Sequence, residues 1–189
     1  MTVGVDPGAD GGLAVVSDAG LVYLEDIRKL GRVDLWRRVK ALQRALFAGG
    51  VDVSPGGRAR DPWRIVVEDQ YTTRLAGGRA ALVLAAHAAA WETSAQVLGA
   101  VLILDRVYPA KWQAMIGGAV GRSKARKDHA RAVFVDRWPQ WSGARQGAID
   151  AAWVAIHADA TRRGWSGNPD HVAPGWSWLV GLRGDGGES

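Results

Sequence analysis

Asp6, Glu68 and Asp150 each stand where an apolar stretch meets or encloses a single carboxylate: after Thr2 to Val5, after Ile65-Val66-Val67, and within Ala148-Ile149-Asp150-Ala151-Ala152. No packing role explains an acid at any of the three. If the strands ending at Asp6 and Glu68 are parallel neighbours, their carboxyl ends bring the two side chains together at the edge where open α/β sheets bind ligands. A helix carrying Asp150 can then add a third carboxylate. Three such groups repel one another and respond with raised pKa values or by recruiting a divalent cation. Oxygen-only ligands suit Mg²⁺ or Mn²⁺. Two such ions ~4 Å apart can activate a water and stabilise the leaving oxygen of an in-line phosphodiester displacement, so two ions per site are expected.

The elements that must position these residues are legible from periodicity. Thr2 to Val5, Leu13 to Val16 and Leu21 to Leu24 read as three strands of a meander, with the Gly-rich Pro7 to Gly12 as the first turn. Leu35, Val39, Leu42 and Leu46 recur at helical spacing between Val33 and Phe47, and Gly49-Gly50 stops that helix. The Gly- and Pro-rich stretch from Val51 to Asp61 reads as a surface loop. Ile65 to Val67 is a fourth strand, Ala76 to Leu98 an Ala-rich helix apolar over much of its circumference, and Val101 to Leu104 a fifth strand. Helices follow over Pro109 to Ile116, Ser123 to Arg137 and Ala144 to Arg163. The expected fold is α/β, a five-stranded mixed sheet with helices on both faces. Residues 1–164 form its body, and 165–189 a Trp- and Gly-containing tail.

Composition narrows the partners. The 189 residues are 48% hydrophobic and 23% charged, as in one globular domain. The absence of cysteine excludes thiol nucleophiles, disulfides and Cys-ligated metals. A formal net charge of +5 favours a polyanionic partner. The Arg, Ala and Gly content fits a GC-rich genome such as a bacteriophage's. Neither G-x-G-x-x-G nor G-x-x-x-x-G-K-[ST] occurs, so no nucleotide cofactor is expected. The first ten residues carry no basic stretch leading into an apolar core, and the longest apolar run, Ala80 to Trp91, is broken by His87 and too short for a bilayer. A cytoplasmic protein without membrane contact is expected.

Arg122 to Arg131 (RSKARKDHAR) carries five Lys or Arg against one Asp. Lys124 and Lys127 share one face of its helix, and an apolar face of Ala130, Val133 and Phe134 would dock on the core and aim Lys127 inward. Phosphate contacts are expected from Lys124 and Lys127, with Arg122 beside them, and these would weaken steeply with salt. Trp36, Trp91 and Trp153 fall within apolar helical patterns and read as core. Tyr71, just past Glu68, and less so Trp112, are placed to stack on a base.

Gly4-Val5-Asp6-Pro7-Gly8 with Gly11-Gly12-Leu13-Ala14, Val66-Val67-Glu68, Tyr108-Pro109 with Lys111, a Gly-broken joint leading to Lys127, and Ala148 to Ala152 together resemble the RuvC-type Holliday junction resolvases, over about Thr2 to Ala158. The resemblance implies an RNase H-like fold, a homodimer, and metal-dependent cleavage of two strands of a four-way DNA junction. By position it implies that Asp6, Glu68 and Asp150 are metal ligands, that Lys127 is the basic group near the scissile phosphate, and that Lys111 contacts DNA. The family's usual fourth ligand, one helical turn before the last Asp, is replaced here by Gly147. Either the site works with three carboxylates, or another residue such as Asp10, Asp69 or His157 substitutes, or activity is lost; two helical turns, about 10 Å, put His157 far from Asp150 for a shared ion. A paired cut by a two-fold dimer fits a two-fold junction, with the Ala-rich helix as the candidate interface. Two other readings stand beside this one: an RNase H-like nuclease on another nucleic-acid substrate, and a non-catalytic protein that binds branched DNA.

Overall fold

A computed structural model describes residues 1–8, 10–17, 20–27, 34, 37, 38, 40, 41, 44, 64–69, 78–97, 101–102, 106–117 and 123–165. Three strands, β1 (Thr2–Asp6), β2 (Gly12–Ser17) and β3 (Gly20–Asp26), form the antiparallel meander, and β4 (Arg64–Val67) lies parallel to β1 on its other side. Beyond β4 lies β5, described only over Val101–Leu102, giving the order β3-β2-β1-β4-β5. Of the fifth strand expected over Val101 to Leu104, the described residues Val101 and Leu102 pair in parallel with Arg64 and Ile65.

Four helices carry the rest: α1 (Gly78–Val97), α2 (Pro109–Ile116), α3 (Ser123–Arg137) and α4 (Gln146–Arg162). Of the helix expected over Val33 to Phe47, only Asp34, Arg37, Arg38, Lys40, Ala41 and Arg44 are described, all helical. The loop from Val51 to Asp61 lies outside the described residues.

Strand alternation decides what reaches the site. Thr2, Gly4 and Asp6 share one face of β1, and α4 lies across that face. A Cβ on Gly4 would strike the Ala151 carbonyl oxygen, and one on Gly12 would strike the Ala148 backbone. Glycine in the strands and alanine in the helix let the two backbones approach closely. Every residue of α4 from Gly147 to Ile156 is buried, as expected of a helix wedged between a sheet and other helices. On its outer side Trp153 meets Phe134 and Trp138, the three ring centroids lying 5.1–6.3 Å apart. The other face of the sheet, with Val3, Val5, Leu13, Val15, Ile65 and Val67, is also buried, and α1 packs along β4 and β5 with Ala88 and Trp91 buried.

The last turn of α4 shows why the helix stops there. Gly164 has φ +95°, its N–H donates to Thr161 and that of Trp165 to Ala160, the paired bonds of a left-handed glycine cap. Trp165, the first residue assigned to the tail, sets its ring against His157 with centroids 5.8 Å apart. Residues 166–189 lie outside the described residues. Among the described residues no helix is long and apolar enough to cross a membrane.

Candidate active site

The parallel pairing of β1 and β4 does what the sequence required of it. The register aligns Val5 with Val67, and the Glu68 N–H donates to the Val5 carbonyl at 2.8 Å, so Asp6 and Glu68 emerge side by side from the carboxyl ends of adjacent strands. Both lie on the face covered by α4, where Asp150 arrives in the second turn of that helix. All three are buried, at 6%, 5% and 2% exposure for Asp6, Glu68 and Asp150.

Each carboxylate is held. Asp6 Oδ1 accepts the Gly8 N–H at 2.9 Å, a local turn bond that fixes its rotamer. Glu68 Oε1 accepts the indole N–H of Trp112 at 2.9 Å. Asp150 accepts from Gln146 Nε2 at 2.8 Å on Oδ1 and from Lys127 Nζ at 3.2 Å on Oδ2. Lys127 reaches in from α3 because Ala130 and Phe134, three and seven residues on, anchor that face of the helix in the core. Its side chain remains 45% exposed while that of Asp150 is 4% exposed, so the ammonium spans solvent and site.

The electrostatics follow from this crowding. Burial lifts the Asp150 carboxyl above its ordinary range, and the charge of Lys127 with the bonds from Gln146 and Lys127 offsets only part of that. For Lys127, partial burial works against the ammonium, but Asp150, then Asp6 and Glu68, raise its pKa above an ordinary lysine's. Lys127 thus lies within electrostatic reach of all three acids. Among the described residues no group of three His, Asp or Glu side chains forms a preformed metal-ligand set. The donor chemistry nonetheless fits a hard divalent cation: three buried carboxylates, oxygen donors only, facing a single lysine.

The remaining expectations divide. Gly147 leaves no room for a fourth ligand: any Cβ there would strike the Asp10 carbonyl oxygen, because the start of α4 bridges to the β1–β2 turn at Gly11. Asp10 is exposed, Asp69 lies by Arg106 at 3.5 Å, and His157 lines a different pocket. The polar group nearest that role is Gln146, which the sequence reading passed over although it stands at i, i+4 from Asp150. Trp112 is corrected: at 0% exposure it cannot stack on a base, and it positions Glu68 instead. Lys124 is exposed on α3, and Lys111 is exposed beside the His157 pocket, whose described lining contains none of the three carboxylates. Arg122 and Tyr71 lie outside the described residues.

Trp112→Phe is expected to lower stability by about 1–3 kcal/mol, the cost of leaving a buried carboxylate short of a donor. Urea unfolding checks this. An unchanged midpoint would show that Glu68 does not depend on the indole.

No protein-family model matches the chain, and no curated protein matches it in sequence. Among solved structures, the chain is similar to Thermus thermophilus RuvC in complex with Holliday junction substrate, with TM-score 0.55 and 16% identity over 86% of this chain and 95% of that one. It is likewise similar to a second Thermus thermophilus RuvC structure, with TM-score 0.53 and 17% identity over 86% and 96%. The fold is RuvC-like.

Proposed function

We propose that this chain is an RNase H-like endonuclease that cuts four-way and other branched DNA by metal-dependent hydrolysis of phosphodiesters. The observation that carries the reading is the convergence of Asp6, Glu68, Asp150 and Lys127 at one end of a RuvC-like sheet. The named neighbour's junction complex supports branched DNA as the substrate class.

Asp6, Glu68 and Asp150 would hold Mg²⁺ or Mn²⁺, and when bound the cation supplies Lewis acidity toward the phosphodiester. The chain's own contribution is preorganisation: the Gly8 N–H, the Trp112 indole and Gln146 fix one oxygen of each acid before substrate arrives. Burial of the acids strengthens every charge interaction in the site. Lys127, kept protonated by its three acidic neighbours and half open to solvent, is positioned to turn its ammonium to a non-bridging phosphate oxygen. Lys124 and Arg122 would extend the phosphate contacts along α3, and Tyr71 would meet a base.

Junction cleavage tests this directly. The wild-type protein should cut a four-way junction in Mg²⁺ and spare a linear duplex of the same sequence, and Lys127→Gln should be slower on the order of 10²-fold. A Lys127→Gln protein as fast as wild type would remove that residue from the mechanism.

The working form is a homodimer, two sites meeting a two-fold substrate. The described side chains of α1 leave Leu82, Ala85, Ala89 and Thr93 exposed along one stripe, with Leu82 at 72%, and this face is the candidate interface. Sedimentation at assay concentration should give a dimer. A monomer that cleaves junctions would contradict it.

A further inference from the structure

A pocket of about 220 Å³ lies between the start of β4, the residues just before α2, and the C-terminal half of α4. Its described lining brings together Arg64, Arg106, Lys111 and Arg162 with His157 and Thr161, and includes no carboxylate. Basic side chains gathered in a concave, partly apolar cavity focus a positive potential into it.

Two of the four cations are steadied by acids that do not line the pocket. Arg106 is paired with Glu92 at 3.1 Å and Asp69 at 3.5 Å, and Arg162 with the buried Asp159 at 3.0 Å. The other two have no such partner: among the described residues no carboxylate pairs with Arg64 or Lys111. Arg64 Nε is buried without a hydrogen-bond partner, and so is His157 Nδ1. The Thr161 hydroxyl already donates to the His157 carbonyl at 2.8 Å. Burial, and then the charge of Lys111, push the imidazole down to about 4, so it is neutral near pH 7 and offers a ring nitrogen rather than a charge.

Buried polar groups in native proteins are nearly always satisfied, and these two nitrogens share one cavity with the charges of Arg64 and Lys111, which no carboxylate among the described residues neutralises. What satisfies the three residues, His157 in its Nδ1–H tautomer, is an anion with several acceptor oxygens. Guanidinium forks match the oxygens of phosphate, and the ammonium of Lys111 adds a point charge at the rim. The volume falls below the roughly 300 Å³ at which drug-sized ligand pockets begin, so it suits a phosphate group and little of what bears it.

We infer that this pocket binds a phosphate group, free or carried on a nucleic-acid end, at a site distinct from the carboxylate cluster. Arg64 and Lys111 make the contacts that discriminate phosphate from no ligand, and Arg106 and Arg162 hold the field in place. Lys111, expected from the resemblance to contact DNA, makes its phosphate contact in this pocket.

The test is calorimetric titration of the full chain in chelator with inorganic phosphate, and separately with one oligonucleotide with and without a 5′-phosphate. Binding of phosphate in the range of about 1 mM or tighter is expected, weakened about tenfold or more in Arg64→Gln and Lys111→Gln. Lys111→Gln alters an exposed side chain, so it reports even if Arg64→Gln fails to fold. Asp6→Asn should bind phosphate as wild type does, which separates this pocket from the carboxylate site and leaves the inference standing if junction cleavage is never found. A gain from the 5′-phosphate that both variants abolish assigns the group to a nucleic-acid end, whereas free phosphate binding with no such gain assigns it to a small anion. Neither form binding up to about 10 mM, or equal binding by wild type and both variants, overturns the inference.

Discussion

Asp150→Asn is expected to abolish junction cleavage, by on the order of 10³-fold or more, while raising the melting temperature of the protein in chelator. The two effects have one cause. Asp150 is 2% exposed beside two other buried acids, and burial outweighs Lys127 and Gln146 in setting its pKa, so its ionised form costs folding free energy. A carboxyl whose folded pKa is raised contributes stability that is complete below its ordinary value of 3.8 and is lost as pH rises through the folded value. The gain from Asn should therefore be present at neutral pH, shrink as pH falls through the raised pKa, and vanish below about 3.8, where wild type is itself neutral. Gln146 can present either end of its amide to Asn, and Lys127 can turn to solvent, so the substitution leaves no charge stranded. Calorimetric melting across that pH range, beside a cleavage assay, checks both halves. A variant less stable than wild type at pH 7 would mean that the Lys127–Asp150 pair stabilises the fold more than burial of the acid costs.

Gly147→Asp, which restores the acid that the RuvC-type pattern places there, is expected to destabilise the protein by about 3 kcal/mol or more and not to increase cleavage. The added Cβ meets the Asp10 carbonyl oxygen and the Gly11 backbone, neither of which is a flexible side-chain end that can swing aside. Relief requires the start of α4 to lift off the β1–β2 turn, and that turn also fixes Asp6 through Gly8. Gly147→Ala separates sterics from charge: it should carry most of the loss. If Gly147→Asp melts with wild type and cuts faster, the turn yields and the position is a vacant ligand site.

The sequence made the carboxylate cluster legible for a physical reason. An acid after an apolar strand, or inside an apolar helix, has no packing purpose, and an α/β order of elements is compatible with the parallel pairing of the first and fourth strands that the structure shows. Asp6, Glu68 and Asp150 needed only those two inferences, and Lys127 only the apolar face that turns it inward. What was not legible depends on contacts between segments far apart in sequence. Gly147 reads as a missing ligand until the β1–β2 turn is seen pressed against it. Trp112 is an amphipathic aromatic by type, and only its bond to Glu68 decides between base stacking and support of an acid. Lys111 lies three residues past Tyr108 in a recognisable motif, yet it borders the His157 pocket, which no local pattern announces. Gln146 is within reach of the helical i, i+4 rule, but an amide does not by its type announce a bond to an acid, and only the contact to Asp150 reveals it.

The most direct measurement is strand cleavage of a synthetic four-way junction by wild type and Asp6→Asn in Mg²⁺, in Mn²⁺ and in chelator, with linear duplex, Y-branch and single strand alongside. The expected result is paired, symmetric cuts in the junction by wild type, dependent on metal and absent in Asp6→Asn, which still binds the junction. Binding of the junction by wild type without cutting under either metal would contradict the account and make the cluster part of a non-catalytic DNA-binding surface.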